Sequence, residues 1–434
     1  MQIVIMAGGR GTRIARLNTE VPKPMIPIEG IPILERQLGV LRQQGYTNIT
    51  LAVGYLGDKI KKYFGDGHKV SPVMGQPFGV SLRYVEEDEP LGTAGALYFL
   101  RNFIKEDFLL LNGDIVFDVD IRRFYKYHKE RRGLATILTH PNGHPYDSGI
   151  ICKDKDGRVT DWLHKEDKRL WYQNRVNAGL HILSADILNL PVFQMLQRVD
   201  LDRDVLKPLI AERKLFAYDS PEYVKDMGTP ERYYEVAEDI RTGLAASKNL
   251  SVKQKAVFLD RDGTLNRYVG FLRRTDDLEL MEGAAEAVKK INRSGYLAIV
   301  VTNQPVIARG EVTVDELETI HQKLETLLGA EGAYLDAVYY CPHHPDKGFE
   351  GEVTELKLKC NCRKPEPGML LQAAEDYNID LNESWMIGDD DNDILAGKTA
   401  GCKTILLTNA KGRKGECNLL LEAVNLIDRL CWKL

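Results

Sequence analysis

Cysteine is scarce in this chain, with 7 residues in 434. Cys152, Cys402, Cys417 and Cys431 are scattered without regular spacing, which excludes the disulfide framework of a small secreted domain. Long apolar runs are missing too. No stretch approaches the ~20 apolar residues that cross a bilayer. The apolar start of MQIVIMAGGRGTR is too short for a signal-peptide core and runs straight into a glycine loop, so it reads as a strand. Excess positive charge is also absent: the formal net charge is -5, which leaves no broad footprint for nucleic acid, only room for local anion sites. Repeats at solenoid periods and low-complexity tracts do not occur. The expectation is a cytoplasmic protein without a nucleic-acid or membrane partner. Its oligomeric state leaves no trace in the sequence.

What is present is ordinary in bulk, 44% hydrophobic and 28% charged, but the length calls for more than one core. Short β-branched runs (IVIM, ITLAVGY, FLLLNGD, LAIVVTNQ) alternate with amphipathic stretches such as ILERQLGVLRQQG. Buried strands alternating with helices predict an α/β protein with two doubly wound, mainly parallel sheets. The amphipathic segment PERYYEVAEDIRTGL is followed by small, polar and basic residues, and a new apolar strand starts at Ala256. The expected division is 1–245, a linker at 246–253, and 254–434.

Glycines dominate the first loop, where Gly8, Gly9, Gly11 and Thr12 let backbone N–H groups approach phosphate oxygens. Arg13 and Lys23 add positive charge where a triphosphate would bend around the loop. A glycine turn with surface cations would explain a lone GGxG equally well, but the pattern extends further. GGRGTR and PKPM are followed in order by LGTAGAL (91–97), LNGD (111–114), VNAGLHIL (176–183) and KDMGTPERYY (225–234). Across most of residues 1–240 the chain resembles the nucleotidyltransferases that activate sugar 1-phosphates. That resemblance implies a nucleotide at the carboxyl ends of the strands, with Gly92 and Asn177 at the nucleotide and sugar. It also implies Mg²⁺ held by Asp114 and Asp226 against the phosphates. The sugar phosphate would attack the nucleotide α-phosphorus in line, so the protein supplies positioning and charge neutralisation. One position departs from the pattern. In WLHKED (162–167) Trp162 and Lys165 fit, with Lys165 available to the sugar phosphate or to solvent, but His164 stands where the family usually has the glutamate that reads sugar hydroxyls.

A second set of motifs begins with AVFLDRDGTLN (256–266) and continues with VVTNQ (300–304), CRKP (362–365) and MIGDDDND (386–393). Together they resemble the haloacid-dehalogenase-type (HAD) phosphatases. The resemblance implies that Asp260 attacks phosphorus to form an aspartyl phosphate and Asp262 acts as acid and base. Thr302, Asn303, Arg363 and Lys364 would hold phosphate oxygens. Mg²⁺ would sit between Asp260, the Asp262 carbonyl and Asp389; Asp393 would support that shell, leaving Asp390 and Asp391 nearby.

Three of the cysteines fall in CPHHPDKGFEGEVTELKLKCNCRKP. Cys341-x-His343 and Cys360-x-Cys362 give three thiolates and an imidazole, a tetrahedral set suited to structural zinc in a loop spanning 341–362. His344 is the alternative imidazole; similar phosphatases use the first histidine. This zinc pattern with TNQ…ARG resembles D,D-heptose 1,7-bisphosphate phosphatases, with histidinol-phosphate phosphatases as the alternative. Pro305-Val306 replaces the usual Ser-Gly and is expected to stiffen a loop near the substrate. The N-terminal part is similar to D-glycero-α-D-manno-heptose 1-phosphate guanylyltransferases through EPLGTAGAL and DMGTPE, so the fusion favours the heptose reading. Resemblance alone favours GTP. A non-catalytic nucleotide-sugar sensor would have lost its metal carboxylates, and all of them are present.

Overall fold

The computed structural model describes residues 1–9, 21–408, 417 and 419–431. The chain forms two compact units. The first comprises Met1–Thr139, Ile151–Trp162 and Asn177–Asn249; the second comprises His140–Ile150, Leu163–Val176 and Leu250–Leu434. Both are α/β, as the alternation of strands and amphipathic stretches predicts. Among the described residues no helix is long and apolar enough to cross a membrane.

In the first unit the strand Gln2–Met6 lies at the centre, parallel to Asn48–Val53 on one side and to Phe108–Asn112 on the other. Successive side chains of a strand point to opposite faces. Ile3, Ile5, Leu109 and Leu111 therefore enter one core, while Val4, Phe108 and Leu110 enter the other. A strand buried on both faces needs an unbroken apolar run, which is why IVIM and FLLLN read as they do. Beyond Phe108–Asn112 the sheet turns antiparallel: Val176–Leu183 runs against it with Leu180 opposite Leu111. A separate two-stranded ribbon pairs Tyr223–Asp226 with Ile115–Asp118 and sets Asp226 opposite Ile115.

The second unit holds a five-stranded, all-parallel sheet in the order Ala337–Cys341, Leu297–Asn303, Ala256–Leu259, Trp385–Gly388, Lys403–Leu406. Val257 and Leu259 face one core, Ala256 and Phe258 the other. Helix Val314–Ala330 starts at a capping box in which Thr313 and Glu316 satisfy each other's backbone N–H groups. The helix Leu420–Cys431 buries Leu420, Ala423, Val424 and Ile427 in its own unit, as its amphipathic sequence suggests. Pro305 and Val306 do not stiffen an open loop. They begin a buried helical turn, Pro305–Ala308, where the fixed φ of proline suits the first helical position and Val306 packs with Ile307, Val312 and Leu317.

A buried ion pair ties the segment Leu163–Val176 into this second unit. Arg175 Nη1 lies 3.3 Å from Glu325 Oε2, with side chains only 3% and 4% exposed. The guanidinium also donates to the carbonyls of Asn174 and Asp336, and Glu325 accepts from the Asn174 N–H. Removing one member leaves the other charge buried without compensation, so Arg175→Ala should lower unfolding stability by about 3–5 kcal/mol. Urea unfolding followed by circular dichroism checks this; a change under about 1 kcal/mol would mean that water replaces the guanidinium.

Candidate active sites and metal centre

The parallel strands of the first unit end together at Met6, Val53 and Asn112, and the loops that follow line a cavity of about 520 Å³. Gly8, Gly9, Lys23, Glu87, Gly92, Asn112 and Asp114 all face it. Gly11, Thr12 and Arg13 lie outside the described residues. Glycine at position 8 leaves the Glu87 carboxylate its place: a Cβ there would come within 2.6 Å of Glu87 Oε2 and displace it. Gly92 is in the left-handed region at φ +84°, and a Cβ would strike the Val199 carbonyl.

Lys23 Nζ donates to Asp114 Oδ2. The antiparallel ribbon brings Asp226 to the same end of the sheet, because Asp226 pairs with Ile115 and the Met227 N–H donates to the Asp114 carbonyl at 3.0 Å. Burial pushes the Asp226 carboxyl up, but the Arg232 guanidinium, the Gly228 N–H and Lys23 outweigh it and hold the group below its usual range. Two carboxylates at one end of the sheet suit a divalent cation that neutralises phosphates. In this structure Lys23 and Arg232 supply the countercharge. Asn177 is fastened by the Gly179 N–H and by His181, and it reaches Asp202. Lys165 is exposed beside Glu166 at 3.9 Å, in the segment that belongs to the second unit.

Glu87 was not anticipated from sequence. Burial pushes its carboxyl up to about 7, and among the described residues its Oε1 is buried without a hydrogen-bond partner. Within EEDEP it is one acid among several. The fold turns it, together with Asp88, into the cavity.

The second site lies where Ala256–Leu259 and its neighbours end. A cavity of about 220 Å³ is lined by Asp260, Asp262, Thr302, Asn303, Arg363, Lys364, Asp389 and Asp393. The carboxylates of Asp260, Asp389 and Asp393 offer oxygens within 4.8 Å of one another, all buried. Such a set fits one hard divalent cation bound through oxygen. Gly263, at φ +92°, lets Asp389 approach; a Cβ would meet its Oδ2 at 2.5 Å. Lys364 Nζ donates to Asp260 Oδ1 at 2.5 Å and to the Val301 carbonyl at 2.7 Å, and sits 2.6 Å from Asp393 Oδ1. Burial by itself would lower the Lys364 pKa, but the two carboxylates raise it, so the ammonium stays charged. Burial pushes the Asp260 carboxyl up against the pull of Lys364, with Asp393 and Asp262 adding to the rise.

Asp262 faces a different set of groups. Arg261 grips it through Nε (3.3 Å) and Nη2 (2.7 Å), Asn266 donates at 3.0 Å and Gln304 at 2.9 Å. Burial pushes its carboxyl up, yet these donors win and hold it below its usual range. Arg261, fully buried, also donates to His321 Nε2 at 3.1 Å. Burial and the adjoining guanidinium hold His321 down at about 3, so the imidazole is neutral and accepts. Reading DRDGT as text does not reveal this, since an arginine between two aspartates looks like a surface charge.

Several expected neighbours have structural partners. Asn303 holds the Lys364 backbone from both sides, donating to its carbonyl at 2.9 Å and accepting its N–H at 3.0 Å. Thr302 Oγ1 accepts from Gln304. Asp390 caps helix Asp391–Ala400 in a capping box with Asp393, which explains two acids of the GDDDND run by backbone chemistry.

Cys341, His343, Cys360 and Cys362 form the second cluster, with Sγ–Sγ separations of 3.2 to 3.5 Å and His343 Nδ1 3.3 Å from Cys362 Sγ. Tetrahedral zinc at its usual bond lengths spans edges of about this size. Burial pushes the Cys341 thiol well up, so a thiolate there calls for a cation. His344 turns elsewhere, its Nδ1 accepting from the Asp346 N–H. Arg363, next to Cys362, donates to the His343 carbonyl at 3.3 Å and so follows the cluster.

With this geometry in hand, residues 2–243 match the profile of the nucleotidyl transferase family and residues 361–430 that of HAD-hydrolase-like proteins. The D-glycero-beta-D-manno-heptose-1,7-bisphosphate 7-phosphatase of Pasteurella multocida (strain Pm70) is 42% identical over 183 residues, which is 41% of this chain and 96% of that protein. The corresponding phosphatase of Escherichia coli (strain K12) is 41% identical over 152 residues, 35% of this chain and 78% of its own. Among solved structures, HddC from Yersinia pseudotuberculosis is 27% identical, covering 55% of this chain and 99% of its own, at a TM-score of 0.46.

Proposed function

The chain belongs to the nucleotidyl transferase family at its N-terminal end and to the HAD-hydrolase-like phosphatases at its C-terminal end, and from that premise we propose that it makes a nucleotide-activated heptose. The C-terminal site removes the 7-phosphate of D-glycero-D-manno-heptose 1,7-bisphosphate. The N-terminal site then couples heptose 1-phosphate to a nucleotide, releasing pyrophosphate. The reading rests on the fit of product to substrate: a relative covered over 96% of its length is named a heptose bisphosphate 7-phosphatase, and residues 2–243 match a nucleotidyl transferase family with motifs that resemble those of enzymes using sugar 1-phosphates. On this reading the catalytic parts are residues 1–245 and 254–434, joined at 246–253. Incubation with the bisphosphate and GTP, with products identified by mass spectrometry, tests it. Release of phosphate without nucleotide sugar from any heptose phosphate would refute the coupling.

In the phosphatase, Asp260 is the nucleophile. Lys364 and Arg363 hold the phosphoryl oxygens. Asp262, positioned by Arg261, gives a proton to the departing sugar oxygen and then takes one from the water that attacks the aspartyl phosphate, so that inorganic phosphate leaves and Asp260 is restored. Asp260, the Asp262 carbonyl and Asp389 would hold Mg²⁺, with Asp393 supporting that set, and the ion would supply charge neutralisation. In the transferase, Gly8, Gly9, Lys23 and Gly92 cradle the nucleotide, and Asp114 and Asp226 would hold the second Mg²⁺. GTP is the proposed nucleotide because the Glu87 carboxylate can accept from both N1–H and the 2-amino group of guanine. Adenine N1 would present it with a lone pair. Pyrophosphate release with GTP, ITP, ATP and UTP checks this; faster turnover of ATP than of GTP would rule out guanine.

The thiol cluster is proposed as structural zinc that shapes the wall carrying Arg363. About one zinc per chain is expected, stabilising the loop on the scale of ~10 kcal/mol seen for zinc-finger peptides. Cys360→Ser with Cys362→Ser should abolish zinc content and impair the phosphatase. Full zinc in that double variant, by elemental analysis, would remove the assignment. A cytoplasmic setting is consistent, since thiols must stay reduced to bind the metal.

A further inference from the structure

Asp200, Asp202 and Asp204 crowd the π-helical turn Leu201–Leu206, a wide backbone form that tends to occur at functional sites. Two of them stabilise the turn itself. Asp200 Oδ1 accepts from the Arg203 N–H at 3.0 Å, while Asp204 Oδ2 accepts from the Asp200 N–H at 2.8 Å and the same carboxylate pairs with the Arg203 side chain. The Asp202 carboxylate instead meets Asn177 Nδ2 at 3.4 Å. Burial pushes it up to about 6, with Asp200 adding to the rise and Lys207 opposing it.

Its surroundings place it beside the transferase chemistry. The Leu201 N–H donates to Thr93 Oγ1 at 2.7 Å, which fastens the start of the turn to a residue lining the nucleotide cavity. Asn177 Oδ1 accepts from the Gly179 N–H and meets His181 Nε2, both at 3.1 Å, and this orientation turns Nδ2 towards Asp202. In the ladder between Val176–Leu183 and Phe108–Asn112, Leu180 faces Leu111. A Cβ on Gly179 would lie 3.2 Å from Asn112 Nδ2, where that strand ends, so Asn177 stands past the strand's carboxyl end. Asp202, bonded to Asn177 and next to Leu201, therefore stands at the end of the sheet where Thr93, Asn112 and Asp114 line the cavity.

We infer that Asp202, oriented through Asn177, reads a ring hydroxyl of the sugar 1-phosphate, a part for which the sequence offers only His164 at the family's glutamate position. The inference rests on the transferase reading above. A carboxylate is suited to the task because it accepts one or two O–H donors and holds them in fixed directions. The test measures KM for heptose 1-phosphate and for GTP by pyrophosphate release, in the wild type, Asp202→Asn and Asp202→Ala. It includes heptose 1-phosphates lacking a single ring hydroxyl.

For Asp202→Ala the sugar KM should rise about 10- to 100-fold, as for loss of a hydrogen bond to a charged group, while the GTP KM stays within about twofold. Asp202→Asn, which keeps one acceptor, should fall between. One deoxy sugar should be penalised in the wild type but not further in Asp202→Ala. An unchanged sugar KM, equal penalties on both substrates, or additive penalties for every deoxy sugar would overturn the assignment. Wild-type enzyme inactive on heptose 1-phosphate but active on another sugar 1-phosphate overturns the heptose reading, and the same variants then test Asp202 on that sugar. A wild type inactive on all of them refutes both.

Discussion

Asp260→Asn should lower phosphate release from heptose 1,7-bisphosphate by about four orders of magnitude or more, the scale on which loss of a covalent nucleophile acts. The substitution preserves shape but replaces one carboxylate oxygen by an amide NH₂, which removes the nucleophile and the charge it offers Lys364 and the cation. Lys364 keeps Asp393 at 2.6 Å and the Val301 carbonyl at 2.7 Å, so its buried ammonium remains compensated and the fold should survive. A thermal melt against the wild type checks that point. The same variant tests the order of the two reactions. Supplied with the bisphosphate and GTP it should form almost no nucleotide sugar; supplied with heptose 1-phosphate and GTP it should match the wild type, since Lys23, Asp114 and Asp226 belong to the other unit. Rapid formation of a 7-phosphorylated nucleotide heptose would contradict the order. Retention of phosphate release above about 1% would remove Asp260 as nucleophile.

Asp226→Ala should reduce pyrophosphate release by about three orders of magnitude, in keeping with the several kcal/mol of charge stabilisation a bound cation supplies. Phosphate release from the bisphosphate should be unaffected. The prediction follows from the ribbon that sets Asp226 beside Asp114 and from the Arg232 guanidinium that keeps it ionised. Its loss also removes one partner of Arg232, so Asp226→Asn, which can keep the Gly228 N–H bond seen at 2.8 Å, is the better control for folding. If both variants produce pyrophosphate at the wild-type rate, Asp226 serves only its turn before Gly228.

Local patterns carried much of this protein. Apolar runs bounded by glycine loops announced parallel strands, because a strand covered on both faces must be apolar throughout. Cys-x-His and Cys-x-Cys announced a metal set, because few other uses put three thiols and an imidazole at such spacing. DxDGT and the glycine loop named two kinds of phosphate chemistry through short-range geometry that any strand end reproduces. Other features depended on residues far apart in the chain. Whether an acid is a cap, a ligand or a reader is set by what packs against it. Thus Asp390 closes a helix, Asp393 meets Lys364, and Asp202 meets Asn177. Arg261 became a buried clamp only because His321, sixty residues on, fills the space behind it. Glu87 lines the cavity with its carboxylate against Gly8, a neighbour far away in the chain. Periodicity and motif are local properties that a sequence states directly, whereas burial and the identity of a charge's partner exist only once the strands have been brought together.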